Sequence, residues 1–160
     1  MPNSRIVGSI ALASVVAWAG LVPHAWADGD MSVRTPVLPK YQQDCGACHV
    51  PYPPTLLPEP SWQRIMGNLG RHYGVDASVD AATTKDLSAW LAKYAGNGKR
   101  ATKAPPEDRI TRSAWFRNEH DEVNAATWKL PAVKSPSNCG ACHTKAGQGD
   151  FNEYNIRIPR

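Results

Sequence analysis

The hydrophobic pattern of the chain opens with one continuous apolar run and then changes to spaced apolar positions. The run extends from Ile6 to Val22, follows the basic Arg5 and precedes Ala25-Trp26-Ala27. This order is typical of a secretory signal peptide with a small-x-small cleavage site. We therefore predict an export signal over residues 1–27, cleaved after Ala27. The run is also at the lower limit for a membrane-spanning helix, so an uncleaved anchor is the alternative.

The first helical pattern lies after a proline-rich stretch. Ser61 is a predicted N-cap for a helix that runs to about His72. The apolar residues of this segment recur at spacings of three and four and lead to the histidine, in the order Trp62, Ile65, Leu69 and His72. Such spacing places all of them on one helix face. The predicted helix therefore presents an imidazole at the end of an apolar stripe.

Two further helices follow along the chain. One is predicted from about 82 to 95, ended by Gly96-Asn97-Gly98. Its core-facing stripe consists of Leu87, Trp90, Leu91 and Tyr94. The other is predicted over residues 112–122 and carries His120, with Phe116 one turn earlier on the same face.

The remaining segments favour irregular structure. Prolines occupy half of residues 51–60, which predicts a stiff, non-helical loop because proline fixes φ and lacks a donor. A short helix is expected to begin near Gln42, and residues 99–108, with Pro105-Pro106, form a natural linker. We predict a mainly α protein with much irregular structure, divided into an N-terminal lobe (28–98) and a C-terminal lobe (99–160).

The charge of the chain excludes one class of partner. The formal net charge is +4, from 18 Lys and Arg against 14 Asp and Glu. These charges are interspersed, whereas nucleic-acid binding needs them clustered on one face, so we expect no nucleic-acid partner. A mild basic cluster at Lys99, Arg100 and Lys103 is either a solvated face or a docking point for an acidic partner.

All four cysteines fall into two copies of one pentapeptide, Cys45-Gly46-Ala47-Cys48-His49 and Cys139-Gly140-Ala141-Cys142-His143. Each copy is C-x-x-C-H, the attachment signature of a c-type haem. In that site two thiols form thioethers and the histidine ligates iron. Disulfides or a structural zinc site would also use paired cysteines, but neither explains a histidine directly after each second cysteine. We predict haem attachment at Cys45, Cys48, Cys139 and Cys142.

The histidines match the demand for axial ligands. Of five histidines, His24 lies in the export signal, and His49 and His143 belong to the motifs. His72 and His120 remain to fill the second axial position of each iron. Met66 is the rival ligand, since His/Met ligation is common in cytochromes c, but core packing is its predicted role.

The spacing of the histidines leaves their pairing open. His72 follows His49 by 23 residues, and His120 precedes His143 by the same 23. Local pairing gives His49 with His72 and His143 with His120, whereas crossed ligation exchanges the two distal histidines. The order of motif and helix is reversed between the lobes, so they are not a simple tandem repeat.

The chain resembles the bacterial dihaem cytochrome c family. Beside the two C-x-x-C-H motifs, the residues that carry the likeness are Tyr52-Pro53-Pro54, Leu57-Pro58, Ser61-Trp62, Ile65-Met66, His72-Tyr73-Gly74, Asp80-Ala81-Ala82-Thr83-Thr84, Trp115-Phe116, Glu119-His120-Asp121-Glu122-Val123 and Val133-Lys134-Ser135-Pro136. The resemblance covers most of the chain after residue 27.

The resemblance implies a class I cytochrome c-like N-terminal lobe and a loop-rich C-terminal lobe wrapped around its haem. It implies two covalently attached haem c groups with bis-histidine ligation by His49, His72, His120 and His143. A membrane cytochrome b is the implied electron donor. A small monohaem cytochrome c, or another periplasmic redox protein, is the implied acceptor.

The functional prediction follows from closed coordination. An iron with two imidazoles has no open position for a substrate, so we expect a periplasmic electron-transfer shuttle and not an enzyme. The alternative is a haem enzyme, or a gas or redox sensor, with one labile axial ligand.

Overall fold

The computed structural model describes residues 35–160. The predicted export signal, with His24, lies outside the described residues. The α-helices are α1 (Pro39–Cys45), α2 (Glu59–Met66), α3 (Ala81–Tyr94) and α4 (Ala114–Glu119). Single turns of 3₁₀ helix lie between and after the α-helices, at Pro54–Leu56, Leu69–Arg71, Lys99–Ala101, Pro106–Asp108, Ile110–Arg112, Thr127–Lys129, Cys139–Ala141, Ala146–Gln148 and Glu153–Asn155.

The described part of the chain has no β-strand. Within residues 35–160 there are only two isolated antiparallel bridges, His72 with Val75 and His143 with Ile156. The prediction of a mainly α protein with much irregular structure is therefore confirmed. No helix in this range has the length and apolar character needed to cross a bilayer.

Helix α3 agrees with its predicted range to within one residue at each end. Asp80 caps it, since its carboxylate accepts a hydrogen bond from the Thr83 N–H at 2.9 Å. Hydrogen bonds from Thr83 lower the pKa of Asp80 below its ordinary value. Leu87 and Leu91 are each 1% exposed, so the apolar stripe faces the core as its spacing predicts.

Helix α2 differs from its prediction at both ends. It begins at Glu59, with Pro60 in the first turn, where a missing N–H costs nothing. Ser61 is therefore not the N-cap but a fully buried residue inside the helix. The helix ends at Met66, because Asn68 adopts a non-helical conformation (φ −138°, ψ 33°), and His72 follows a separate 3₁₀ turn.

The other two helix predictions are partly wrong. The helix expected near Gln42 begins earlier, at Pro39, and ends at Cys45, so only the first residue of the first motif is helical. Helix α4 spans Ala114–Glu119 and not 112–122, and His120 lies just beyond its end. Ser113 caps α4 by accepting a hydrogen bond from the Phe116 N–H at 3.0 Å.

The regular core belongs to the N-terminal half, where α1, α2 and α3 pack together. Its buried members are Tyr41, Leu57, Trp62, Met66, Leu87 and Leu91. Met66 is 6% exposed within this cluster, which confirms its predicted packing role. The buried apolar residues of the C-terminal half are Ala101, Phe116, Val133, Ala146 and Phe151.

The proline-rich loop is tied to this core at two points. The Trp62 indole donates to the Pro54 carbonyl at 2.7 Å, and the Gly96 N–H donates to the Leu57 carbonyl at 2.8 Å. A Cβ at Gly96 would lie 2.2 Å from the Thr55 oxygen. Only glycine permits α3 to end this close to the loop.

Candidate functional site

The structure brings the four predicted ligand histidines together as two pairs. The ring centroids of His49 and His72 are 6.3 Å apart, with 22° between the ring planes. Those of His120 and His143 are 6.1 Å apart, with 66° between the planes. Each pair combines one motif histidine with one histidine from outside the motifs.

These separations fit a single metal ion held between two imidazoles. A metal–nitrogen bond of about 2 Å on each side, together with half of each ring, places the two centroids about 6 Å apart. Two imidazoles in direct stacking contact would lie closer than this. The residues present therefore fit an iron in each pair, and the pairs are the local ones.

His49 is oriented by the residues that follow it. Its Nδ1 is 2.7 Å from the Val50 carbonyl oxygen. Because a carbonyl only accepts, Nδ1 carries the proton and Nε2 is left as the nitrogen that can bind a metal. The ring of Tyr52 stacks on the imidazole, with centroids 4.7 Å apart and 15° between the planes.

His72 lies in a turn that the linker segment holds. The hydroxyl of the neighbouring Tyr73 is 3.1 Å from the carbonyl oxygens of Glu107 and Asp108. Tyr73, Glu107 and Asp108 all adopt left-handed conformations, with φ of 51°, 57° and 55°, which non-glycine residues adopt at a cost. The Arg109 guanidinium lies 4.2 Å from the centre of the Tyr73 ring, as in a cation–π contact.

An ion pair fixes the same segment to α2. The Arg64 guanidinium donates to both carboxylate oxygens of Asp108, at 2.9 and 2.7 Å. These hydrogen bonds lower the pKa of Asp108 below its ordinary value. The segment predicted as a linker is therefore packed against the helix that precedes His72.

The second motif is held by the residues that follow it. Its cysteines frame the 3₁₀ turn Cys139–Ala141, and the His143 N–H donates to the Cys139 carbonyl at 2.8 Å. The chain then returns, and the Arg157 N–H donates to the Cys142 carbonyl at 2.8 Å. Phe151 contacts the His143 ring, with centroids 5.3 Å apart.

Electrostatics favour neutral imidazoles and un-ionised thiols. Burial, together with the neighbouring histidine, lowers the pKa of His72 and of His143, and the neutral ring is the form that ligates a metal. Burial raises the pKa of Cys45 and of Cys139 to about 11. Cysteine binds zinc as a thiolate, the form that burial of Cys45 and Cys139 disfavours. Within residues 35–160 no three His, Cys, Asp or Glu side chains are grouped to hold a metal ion.

The sequence analysis assigned no role to three aromatic residues that lie around the histidines, Tyr52, Tyr73 and Phe151. Tyr52 and Tyr73 were part of the family likeness, but neither has a chemical role that spacing indicates. Phe151 lies in a tail without periodicity. The nearness of the two tyrosines in the sequence could have indicated such a role, because Tyr52 follows His49 by three residues and Tyr73 directly follows His72.

Comparison with known proteins gives a consistent result. The sequence pattern of the dihaem cytochrome c family matches residues 41–151. The diheme cytochrome type c from Shewanella baltica OS155 is 34% identical, with a TM-score of 0.66, over 76% of this chain and 92% of its own.

Two structures from Rhodobacter sphaeroides are similar as well. DHC is 37% identical, with a TM-score of 0.63, over 72% of this chain and 97% of its own. The diheme cytochrome c is 35% identical, with a TM-score of 0.65, over 73% and 98%. Comparison with curated proteins gave no significant match.

Proposed function

Because the chain belongs to the dihaem cytochrome c family and carries two covalently attached haem c groups, we propose that it is an electron carrier with two bis-histidine irons. His49 and His72 hold the first iron, and His143 and His120 hold the second. Cys45 and Cys48 form the thioethers of the first haem, and Cys139 and Cys142 form those of the second. The observation that supports this assignment is the pair of imidazole separations, 6.3 and 6.1 Å.

Haem c supplies a one-electron redox couple when it is bound. The residues of this chain determine what that couple can do. With both axial positions filled by imidazoles, the chain leaves no site for peroxide, oxygen or nitrite. The Val50 and Phe116 carbonyls hold the Nδ1 protons of His49 and His120, which fixes the rings and raises their basicity as ligands.

The two sites are close enough to exchange electrons within the molecule. A Cβ built on Gly140, inside the second motif, would lie 3.5 Å from the side chain of Val50, directly after the first motif. The attachment segments of the two haems are therefore in contact. Residues 45–49 and 139–143 would therefore hold the two haems near each other, and the one-electron couple that each haem supplies would allow exchange between them.

The cellular setting is part of the same proposal. Residues 1–27 direct export, and the carrier works in the periplasm. Its donor is a membrane cytochrome b or another quinol-linked protein, and its acceptor is a small monohaem cytochrome c or a comparable soluble redox protein. The sequence likeness to the family supports these partners.

Carbon monoxide binding tests the closed coordination. Added to the reduced holoprotein, it should leave the visible spectrum unchanged, because neither iron has a free or labile position. Stoichiometric binding at one haem would contradict the proposal and favour a haem enzyme or a gas sensor. Mass spectrometry of the mature protein tests export and cleavage independently of the iron coordination, and the expected N-terminus is Asp28.

A further inference from the structure

Tyr52 contacts a ligand histidine of one lobe and, through its hydroxyl, the segment that leads into the haem-attachment motif of the other. Its ring stacks on His49, and its hydroxyl donates to the Ser137 carbonyl at 2.7 Å. Ser137 lies two residues before Cys139. This hydrogen bond joins residues that are 85 positions apart in the sequence.

The backbone of Tyr52 is fixed on the N-terminal side. Pro51 and Pro53 flank it, and both restrict the local φ and ψ angles. The buried hydroxyl of Tyr41 donates to the Tyr52 carbonyl at 2.8 Å. The ring therefore has a fixed origin in the N-terminal lobe, and its remaining freedom is rotation about the side-chain bonds.

The Ser137 carbonyl removes that freedom. A tyrosine phenol is protonated at neutral pH, so it is a donor to this carbonyl. Ser137 is exposed, and water competes for its carbonyl, so the hydrogen bond contributes direction more than stability.

Among residues 35–160, the second histidine pair has no equivalent link to the other lobe. Phe116 stacks on His120, with centroids 4.0 Å apart and 18° between the planes, but it belongs to α4, the helix that directly precedes His120. A phenylalanine also has no hydroxyl to donate. The orientation of His120 is thus set within its own lobe.

We propose that Tyr52 is a positioning residue through which the C-terminal lobe sets the ring plane of His49. The Ser137 carbonyl orients the tyrosine, the tyrosine orients the imidazole, and the angle between His49 and His72 follows. This inference rests on the proposed bis-histidine function and adds to it a dependence of the first site on the segment that carries the second.

The angle between two axial imidazoles has a spectroscopic readout. In a low-spin ferric centre, two imidazoles with parallel planes donate π electrons into the same iron d orbital. This separates that orbital in energy from the second d orbital of the same type. Perpendicular planes act on both orbitals alike, which leaves them close in energy and gives a wider spread of g values. The angles of 22° and 66° therefore predict two distinguishable low-spin signals.

The test is low-temperature electron paramagnetic resonance of the oxidised holoprotein. Tyr52→Phe keeps the ring and removes the hydroxyl, whereas Tyr52→Leu removes both. The signal with the narrower spread of g values belongs to the iron between His49 and His72, whose ring planes are closer to parallel. We expect Tyr52→Phe to shift the g values of this signal and to leave the signal with the wider spread unchanged. Tyr52→Leu should shift the narrower signal further. Tyr154→Phe is the matched control, because Tyr154 is 88% exposed, and it should change neither signal.

The possible failures are separable. Unchanged g values in Tyr52→Phe would overturn the role of Tyr52 and leave the ligand assignment intact. Loss of a haem from Tyr52→Phe would also overturn it, because the hydroxyl is assigned to orientation alone. A high-spin signal in the wild-type protein would instead refute bis-histidine ligation.

Discussion

Phe116 lies flat against His120, and its backbone carbonyl also accepts a hydrogen bond from that imidazole. The ring centroids are 4.0 Å apart, and His120 Nδ1 is 2.9 Å from the Phe116 carbonyl oxygen. Both contacts arise because the two residues are one helical turn apart at the end of α4. A helix of only six residues thus orients the histidine that directly follows it.

The first prediction concerns the two distal histidines. His72→Ala and His120→Ala should each open one iron, so that the reduced variant binds one carbon monoxide per protein while both thioether-linked haems remain. Visible spectra during titration with carbon monoxide measure the stoichiometry. Met66→Leu is the control and should bind none, because Met66 is a buried core residue. If both histidine variants failed to bind, the ligand assignment would be wrong.

The second prediction concerns the cap of α4. Ser113→Ala leaves the Phe116 N–H without its acceptor and should lower the free energy of unfolding by about 1 kcal/mol. Denaturant titration of the oxidised holoprotein measures this. The exposed Asn118, in the same helix, provides the comparison: Asn118→Ala should be neutral or slightly stabilising, since alanine is the better helix former. Equal destabilisation by both would exclude capping as the cause.

The third prediction concerns the close approach at Gly96. In Gly96→Ala the new methyl group would lie 2.2 Å from the Thr55 oxygen and 2.4 Å from the Ala101 Cβ. The backbone must shift, and we expect a loss of about 1–3 kcal/mol in the free energy of unfolding. Gly98→Ala is the matched control, because a Cβ there meets no atom within 4 Å and its φ is −90°. Thermal unfolding of both variants should show a lower Tm for Gly96→Ala alone.

The fourth prediction concerns acid stability. The hydrogen bonds from Arg64 place the pKa of folded Asp108 below its unfolded value. The resulting stability is present above the unfolded pKa, which is about 3.9, and is lost as the pH falls through the folded value. Asp108→Asn should therefore lower the Tm at pH 7 and reduce the further loss on acidification.

Asp86→Asn serves as the reference for that measurement. Asp86 is an exposed carboxylate on α3 that forms no ion pair among the described residues. Its variant should keep the Tm at pH 7 and the acid dependence of the wild-type protein. An unchanged profile for Asp108→Asn would show that the ion pair contributes nothing measurable.

The sequence predicted α3 well because all its signals agree. The apolar stripe repeats at helical spacing without interruption, and Gly96-Asn97-Gly98 marks its end. The helical spacing that leads to His72 was misleading. Helix α2 ends at Met66, although the later apolar residue of the pattern, Leu69, still packs against the core. Two glycines and an asparagine between 67 and 70 are the local reason for this break.

The histidine pairs were only half predictable. Counting residues identified the four imidazoles, but it could not choose between local and crossed pairs, since both satisfy the same count. The structure places each pair within 23 residues of sequence. The contact of Tyr52 with Ser137 was beyond sequence reasoning, because no periodicity relates two irregular segments that are 85 positions apart.

The reversed order of motif and distal histidine has a consequence for biosynthesis. A polypeptide emerges from its N-terminus, so Cys45 and Cys48 become available before His72 exists outside the ribosome. At the other site, His120 emerges ahead of Cys139 and Cys142. Synthesis therefore presents the attachment cysteines before the distal histidine at one site and after it at the other.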